Sequence, residues 1–246
     1  MRAQTRHQLK EDRFSRVTID AAEATAHWSV EHKNKVIAGA VVVLVLAAAI
    51  FGSWYYMNQQ DLRASAELGQ ATRTLDTPIR LAGMPVQPEY PSFASGTERA
   101  REAQKQFQAV VVSYPHTKSA DFARYFVALT AETLGDNASA EAQLKTVAAV
   151  GNDDLAALGN FALASVYRNT NRPKDAIEIY KKLIAKPTSS VSKVTAQLEL
   201  GETYKANGQP VDAKLIYEQV QKENPTLPAA PSPAYQIATQ RLLDLK

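Results

Sequence analysis

The chain has 246 residues, 45% hydrophobic and 22% charged, so it carries enough apolar side chain for a sizeable core. Its net charge of +3 gives no electrostatic footprint for a nucleic-acid partner. The absence of cysteine excludes disulfides, thiol catalysis and cysteine zinc sites.

Residues 1 to 35 read as a helical leader. TRHQ, residues 5 to 8, fits a capping box, and Phe14, Val17, Ala21, Ala24 and Trp28 fall on one stripe at spacings of three and four. Two readings stay open, a docking helix with Trp28 near lipid headgroups and a solvated extension of the helix that follows. His27 and His32, five positions apart, lie about 140° apart on a helix and make no metal pair.

From Val36 to Gln60 there is no charged residue. VIAGAVVVLVLAAAIFGSWYYM, residues 36 to 57, would form a helix about 33 Å long, close to the hydrocarbon thickness of a bilayer. Trp54, Tyr55 and Tyr56 cluster at one end, the composition of a helix leaving lipid for headgroups. A cleaved signal peptide fits poorly, because 35 residues precede the apolar run and the run is too long. The expectation is one uncleaved transmembrane helix. Residues 1 to 35 hold seven Lys or Arg, with Lys33 and Lys35 beside the span, whereas the fifteen residues after Met57 hold only Arg63. That asymmetry puts the amino terminus in the cytoplasm and residues 58 to 246 outside it.

A helix is expected over residues 58 to 76. TPIRLAGMPVQPEYPSFASGT, residues 77 to 97, then holds Pro78, Pro85, Pro88 and Pro91, which exclude a helix and disfavour an inner strand. It reads as a long insertion in the turn of a first helix pair, either a connector or a binding loop exposing Tyr90 and Phe93.

A repeat begins after the insertion. Ala103, Phe107 and Pro115 open it, and Ala103 lies 37 residues before Ala140. Val127, Ala128, Ala131, Gly135, Ala140 and Leu144 form the next copy, a degenerate one with Ala131 in an aromatic position. Leu163, Ala164, Tyr167, Asn171, Ala176, Tyr180 and Pro187 follow. Leu200, Gly201, Tyr204, Gly208, Ala213, Tyr217 and Pro225 repeat them at a spacing of 37 for the shared tyrosines and alanines. The skeleton L-G-x2-Y, A-x3-F and P is that of a tetratricopeptide (TPR) helix pair. Small residues mark where two antiparallel helices touch, aromatics fill the space beside them, and Asn171 and Gly208 sit in turns that need a left-handed backbone. Ala103, Phe107, Ala140, Tyr167, Ala176, Tyr180, Gly201, Tyr204, Gly208, Ala213 and Tyr217 are therefore the candidate repeat-packing residues. TLPAAPSP, residues 226 to 233, separates the array from a last helix over residues 235 to 245, whose Ile237, Leu242, Leu243 and Leu245 would cap its open end. The fold class expected is all-α: one transmembrane helix, a TPR-like α-solenoid of about four helix pairs and a capping helix.

The order of leader, apolar span ending in WYY, the segment NQQDLRASAELGQA, degenerate TPR pairs and a terminal helix resembles the YfgM-like single-span membrane proteins. That resemblance implies a periplasmic TPR domain associated with the Sec translocon and a membrane-anchored prolyl isomerase, assisting newly translocated proteins. The long leader and the proline-rich insertion depart from the family.

The likeness to TPR arrays implies a groove lined by the first helix of each pair. The positions concerned are Phe122, Tyr125, Leu129 and Glu132, then Leu158, Phe161, Ser165 and Arg168, then Thr195, Leu198, Glu202 and Lys205. The lysine and asparagine of a carboxylate clamp are missing from them. Phe122, Tyr125, Leu129, Phe161, Arg168, Leu198 and Lys205 are the candidate partner-binding residues, suited to a helix or an extended apolar segment, or equally to packing against neighbouring helices. Three functions remain: a translocon-associated scaffold or chaperone-like factor, a scaffold for cell-wall or outer-membrane assembly, and an enzyme. The last ranks lowest, since there is no GxSxG, no HExxH, no phosphate-binding glycine loop and no clustered acid pair. No metal, cofactor or small-molecule substrate is expected, and the partners are proteins.

Overall fold

Nine helices and no strand longer than an isolated bridge make up the residues described by the computed structural model, 32–85, 87–225 and 232–245. In chain order they are α1 (Lys33–Asp76), α2 (Gly96–Ser113), α3 (Lys118–Thr133), α4 (Asn137–Ala148), α5 (Asp153–Asn169), α6 (Pro173–Ala185), α7 (Lys193–Ala206), α8 (Pro210–Glu223) and α9 (Pro233–Leu243). The leader stripe and the capping-box residues lie outside the described residues, as do 226–231 of the proline-rich linker. The chain divides into two units, Met1–Asn58 and Gln59–Lys246.

In the first unit, α1 contains a stretch long and apolar enough to cross a membrane, none of which is buried. Leu44, Ile50 and Phe51 all stand exposed along it. The sequence reading breaks this region into a span and a separate following helix, but α1 runs unbroken through residue 57 because no proline interrupts it.

The second unit is a row of helix pairs: residues 59 to 76 of α1 with α2, α3 with α4, α5 with α6, and α7 with α8. Each turn inside a pair follows the same local chemistry. Gly135, Asn171 and Gly208 all have positive φ, at 81°, 59° and 72°. The following N–H donates back across each turn, from Asp136 to the Ala131 carbonyl at 2.9 Å, from Arg172 to Tyr167 at 2.8 Å and from Gln209 to Tyr204 at 2.9 Å. This is the Schellman end of a helix, which needs a residue that tolerates the left-handed region. Pro173 and Pro210 then start the next helix at its first turn, where a missing N–H costs nothing. Tyr114, Lys186 and Asn224, each before a proline, leave the helical region and end α2, α6 and α8. α4 has no such proline and is the shortest helix of the four pairs.

Three hydrophobic clusters run along the array. Ala103, Phe107, Ala140, Ala176, Tyr180, Ala213 and Tyr217 are fully buried in them, with Tyr167 nearly so. Two packing candidates behave otherwise: Tyr204 is only partly buried between two clusters, and Gly208 is exposed, so its role is backbone conformation alone. At Gly201 a Cβ would lie 2.4 Å from Cε1 of Tyr217, so the glycine makes room for that ring.

Three boundaries shift from the sequence reading. α2 begins at Gly96, two residues inside the expected loop, because Ser95 caps it by accepting from the Glu98 N–H at 3.1 Å. The last helix opens at Pro233 and ends at Leu243, with Ser232 as its cap. The insertion is neither a bare connector nor featureless. Phe93 N–H donates to Pro78, Arg80 N–H donates to Phe93, and the guanidiniums of Arg80 and Arg99 hold the carbonyls of Ser92 and Thr77. Within it Tyr90 is exposed and Phe93 half-buried.

α9 also keeps the repeat register. Ala238 stands 37 residues after Gly201 and is likewise buried, packed in one cluster with Ala213, Tyr217 and Val220 of α8. The capping helix thus holds the register of the first helix of a fifth repeat.

Candidate protein-binding surface

The first helices of successive pairs lie side by side, and polar side chains tie them together. Asn169 of α5 donates to Glu132 of α3 at 3.0 Å. Arg168 of α5 pairs with Glu199 of α7 at 2.6 Å, and Glu202 of α7 meets Arg241 of α9 at 3.2 Å. Between these ties run the apolar candidates. Phe122 is 37% exposed. Tyr125, Leu129, Leu158 and Phe161 are half-buried against the largest cluster, and Leu198 against the C-terminal one. Tyr125 sets its ring edge-on to Phe126 at 5.6 Å, and Phe161 sets its ring edge-on to the buried Tyr180 at 5.7 Å. Burial, with Glu132 nearby, raises the Tyr125 phenol above its ordinary value. Each of these side chains therefore has one face in the core and one face on the surface, and Phe122 stands proudest. Arg168 is engaged by Glu199, and Lys205 is partly buried near the end of α7.

This surface offers apolar and aromatic edges between polar side chains tied to one another across the repeats. It suits a partner segment read by shape and apolar contact more than by charge, because the exposed ends of the ion pairs contribute less than about 1 kcal/mol each. Among the described residues no cluster of His, Asp or Glu could hold a metal ion.

Two tyrosines of equal register differ behind it. Tyr217 donates its hydroxyl to Glu202 Oε1 at 2.6 Å, whereas the buried hydroxyl of Tyr180 has no partner among the described residues. Burial pushes the Tyr180 phenol up to about 12 from an ordinary 10.0. A raised folded-state value means that stability is intact below about pH 10 and is lost as pH climbs toward 12. Tyr180→Phe is expected to flatten that alkaline loss and to stabilise the protein at pH 8 by about 1 kcal/mol, since no unpaired hydroxyl remains buried. Denaturant titrations at pH 8 and pH 11 measure both. A variant less stable than wild type at pH 8 would mean that the hydroxyl is satisfied in solution.

Sequence reasoning missed several residues here. Glu199 and Arg241 carry no local signal, since their partners are 31 and 39 residues away. Gly159 had one, a glycine inside a helical pattern. A Cβ there would sit 2.8 Å from Val147 Cγ1 and 3.0 Å from the Ala148 nitrogen, so it lets the end of α4 press on α5.

Paired helices of fixed register, left-handed turns and a cap that continues the period define an α-solenoid of the TPR kind, a class of interaction scaffold that is typically non-catalytic. The chain matches the tetratricopeptide repeat-like domain family over residues 26–240 and belongs to it. Among solved structures it resembles the crystal structure of a variant of the Podosopora anserina putative kinesin light chain nearly identical TPR-like repeats. The TM-score is 0.56 at 18% identity, covering 74% of this chain and 84% of that one. At that identity the likeness is one of fold. No curated protein matches the chain.

Proposed function

We propose that this protein is a single-span membrane-anchored TPR scaffold, its repeat domain outside the cytoplasm, that serves newly translocated secreted and envelope proteins beside the Sec translocon. The observation that carries the anchor is the unburied apolar stretch of α1. A row of exposed Val, Leu, Ile and Phe of that length has no stable place in water, and a helix satisfies its own backbone groups in lipid. The family match begins at residue 26, ahead of the apolar run, which favours a retained anchor over a removed leader. The lysines before Val36 and the single arginine in the fifteen residues after Met57 favour the outward orientation. The translocon itself rests on the resemblance of the span and its following helix to the YfgM-like proteins, and the scaffold role on the TPR class.

A reporter fluorescent only in the cytoplasm, fused after Lys246, is expected to stay dark. Bright cells would reverse the orientation. Affinity purification after mild detergent extraction is expected to recover translocon components. Recovery of cell-wall or outer-membrane assembly proteins in their place would move the scaffold to that machinery.

A further inference from the structure

A second feature stands apart from the groove stripe. A cavity of about 240 Å³ opens between the first half of α5 and the last half of α6, floored by Ala156, Ala157, Ile179 and Leu183 and rimmed by Lys182 and Lys186. Its cause is legible in the repeat. Asn160, three residues before Leu163, holds the position of the tryptophan in the W-x2-L-G pattern of TPR helices. In the next repeat the same position is Gln197, buried, with its amide reaching Glu223 Oε2 at 3.1 Å, so that seat is filled. Asn160 is a methylene shorter and turns its amide back onto the Ala156 carbonyl of its own helix at 2.9 Å. The seat made for a large side chain is left open.

We propose that this cavity is a docking site for one large apolar side chain of a protein partner, flanked in that partner by acidic residues. The floor is aliphatic, and apolar cavities of about 150 Å³ already take up benzene-sized groups. The acidic flank follows from the rim. Lys182 is exposed and makes no ion pair among the described residues. Lys186 meets Asp153 at 2.9 Å, an exposed pair weak enough to share its ammonium with an incoming carboxylate. Lys182 and Lys186 outnumber Asp153 among the residues lining the mouth, which gives it a positive excess; Asp154, held by the Ser189 hydroxyl and the Ser190 N–H, does not line it. Asp153, Ala156, Ala157 and Asn160 form a different stripe of α5 from Leu158, Phe161, Ser165 and Arg168, so a partner held in the groove leaves this seat accessible.

The test uses the full-length protein in nanodiscs of neutral lipid and a short fluorescein-labelled peptide carrying one phenylalanine followed by glutamates, read by anisotropy. Asn160→Trp returns the pattern's own residue to the seat, and is expected to weaken binding roughly tenfold or more while keeping the helical content. Lys182→Glu, at an exposed position without an ion pair among the described residues, is expected to weaken the glutamate peptide and to favour the same peptide with lysines in place of the glutamates. Val112→Glu, at an exposed position of α2 away from both surfaces, should leave the affinity unchanged. Unaltered binding to a folded Asn160→Trp variant, or equal binding of a peptide with serine for phenylalanine, would overturn the site. Indifference to Lys182→Glu would overturn the acidic partner.

Discussion

Gly201→Val is expected to destabilise the full-length protein by about 3 kcal/mol, a fall in melting temperature of roughly 6 to 12 °C. The new side chain would enter space held by the Tyr217 ring, whose Cε1, Cζ and Cδ1 lie 2.4, 2.7 and 3.0 Å from the position of its Cβ. That ring cannot swing aside, because it is fully buried and its hydroxyl is held by Glu202. The helices must part instead, and overpacking of this kind typically costs about 1 to 3 kcal/mol and occasionally more. Gly201→Ala should be milder, since Ala164 and Tyr180 already sit sixteen residues apart in the same register and both bury completely. Gly69 is the control. A Cβ there meets nothing within 4 Å, so Gly69→Ala should gain up to about 1 kcal/mol of helix propensity. Thermal melts of the three variants decide the matter. A Gly201→Val protein that melts with wild type would show that the glycine does not hold the pair together.

The second large effect concerns partner recovery. Phe122→Glu combined with Tyr125→Ser is expected to cut it roughly 100-fold or more, because burying two such side chains in an interface contributes about 1.5 to 3 kcal/mol each. Phe122 is chosen because it is exposed, so its replacement costs the fold little. Tyr125, Phe161 and Leu198 each also support a core cluster, so the double variant must be shown folded before its recovery is read. Val112→Glu, on an exposed position of α2 away from the stripe, should change nothing. Affinity purification of the wild type, the double variant and the control, with circular dichroism on each, reads the result. Full recovery with a folded double variant would move the binding surface to the insertion around Tyr90 or to the leader.

Much of the second unit was legible because its signals are local. A residue entering the left-handed region is glycine or asparagine, as at Gly135, Asn171 and Gly208, whatever surrounds it. A proline ends a helix just before itself, as at Pro115, Pro187 and Pro225. A small residue and a large one sixteen positions later, as Gly201 and Tyr217, record a contact between two helices joined by a short turn. The insertion was harder. Its prolines excluded a helix, but its order comes from Arg80 and Arg99 reaching carbonyls twelve and twenty-two residues away, contacts that no spacing announces.

The sequence by itself determined the all-α repeat, its register, its turns and the presence of one apolar run without charge, because each follows from the conformational or solvation preference of a few adjacent residues. Only the tertiary structure decided how the surface is used. It turned one face of Tyr125 and Phe161 into the core, joined Arg168 to Glu199 and Glu202 to Arg241, and put the last helix in the register of a fifth repeat's first helix. It also left open beside Asn160 a seat that its counterpart Gln197 fills. The physical reason is the same in each case. A side chain's partner on another repeat is set by the angle and distance at which helices stack, and a difference of one methylene at the same register separates a filled core position from a cavity.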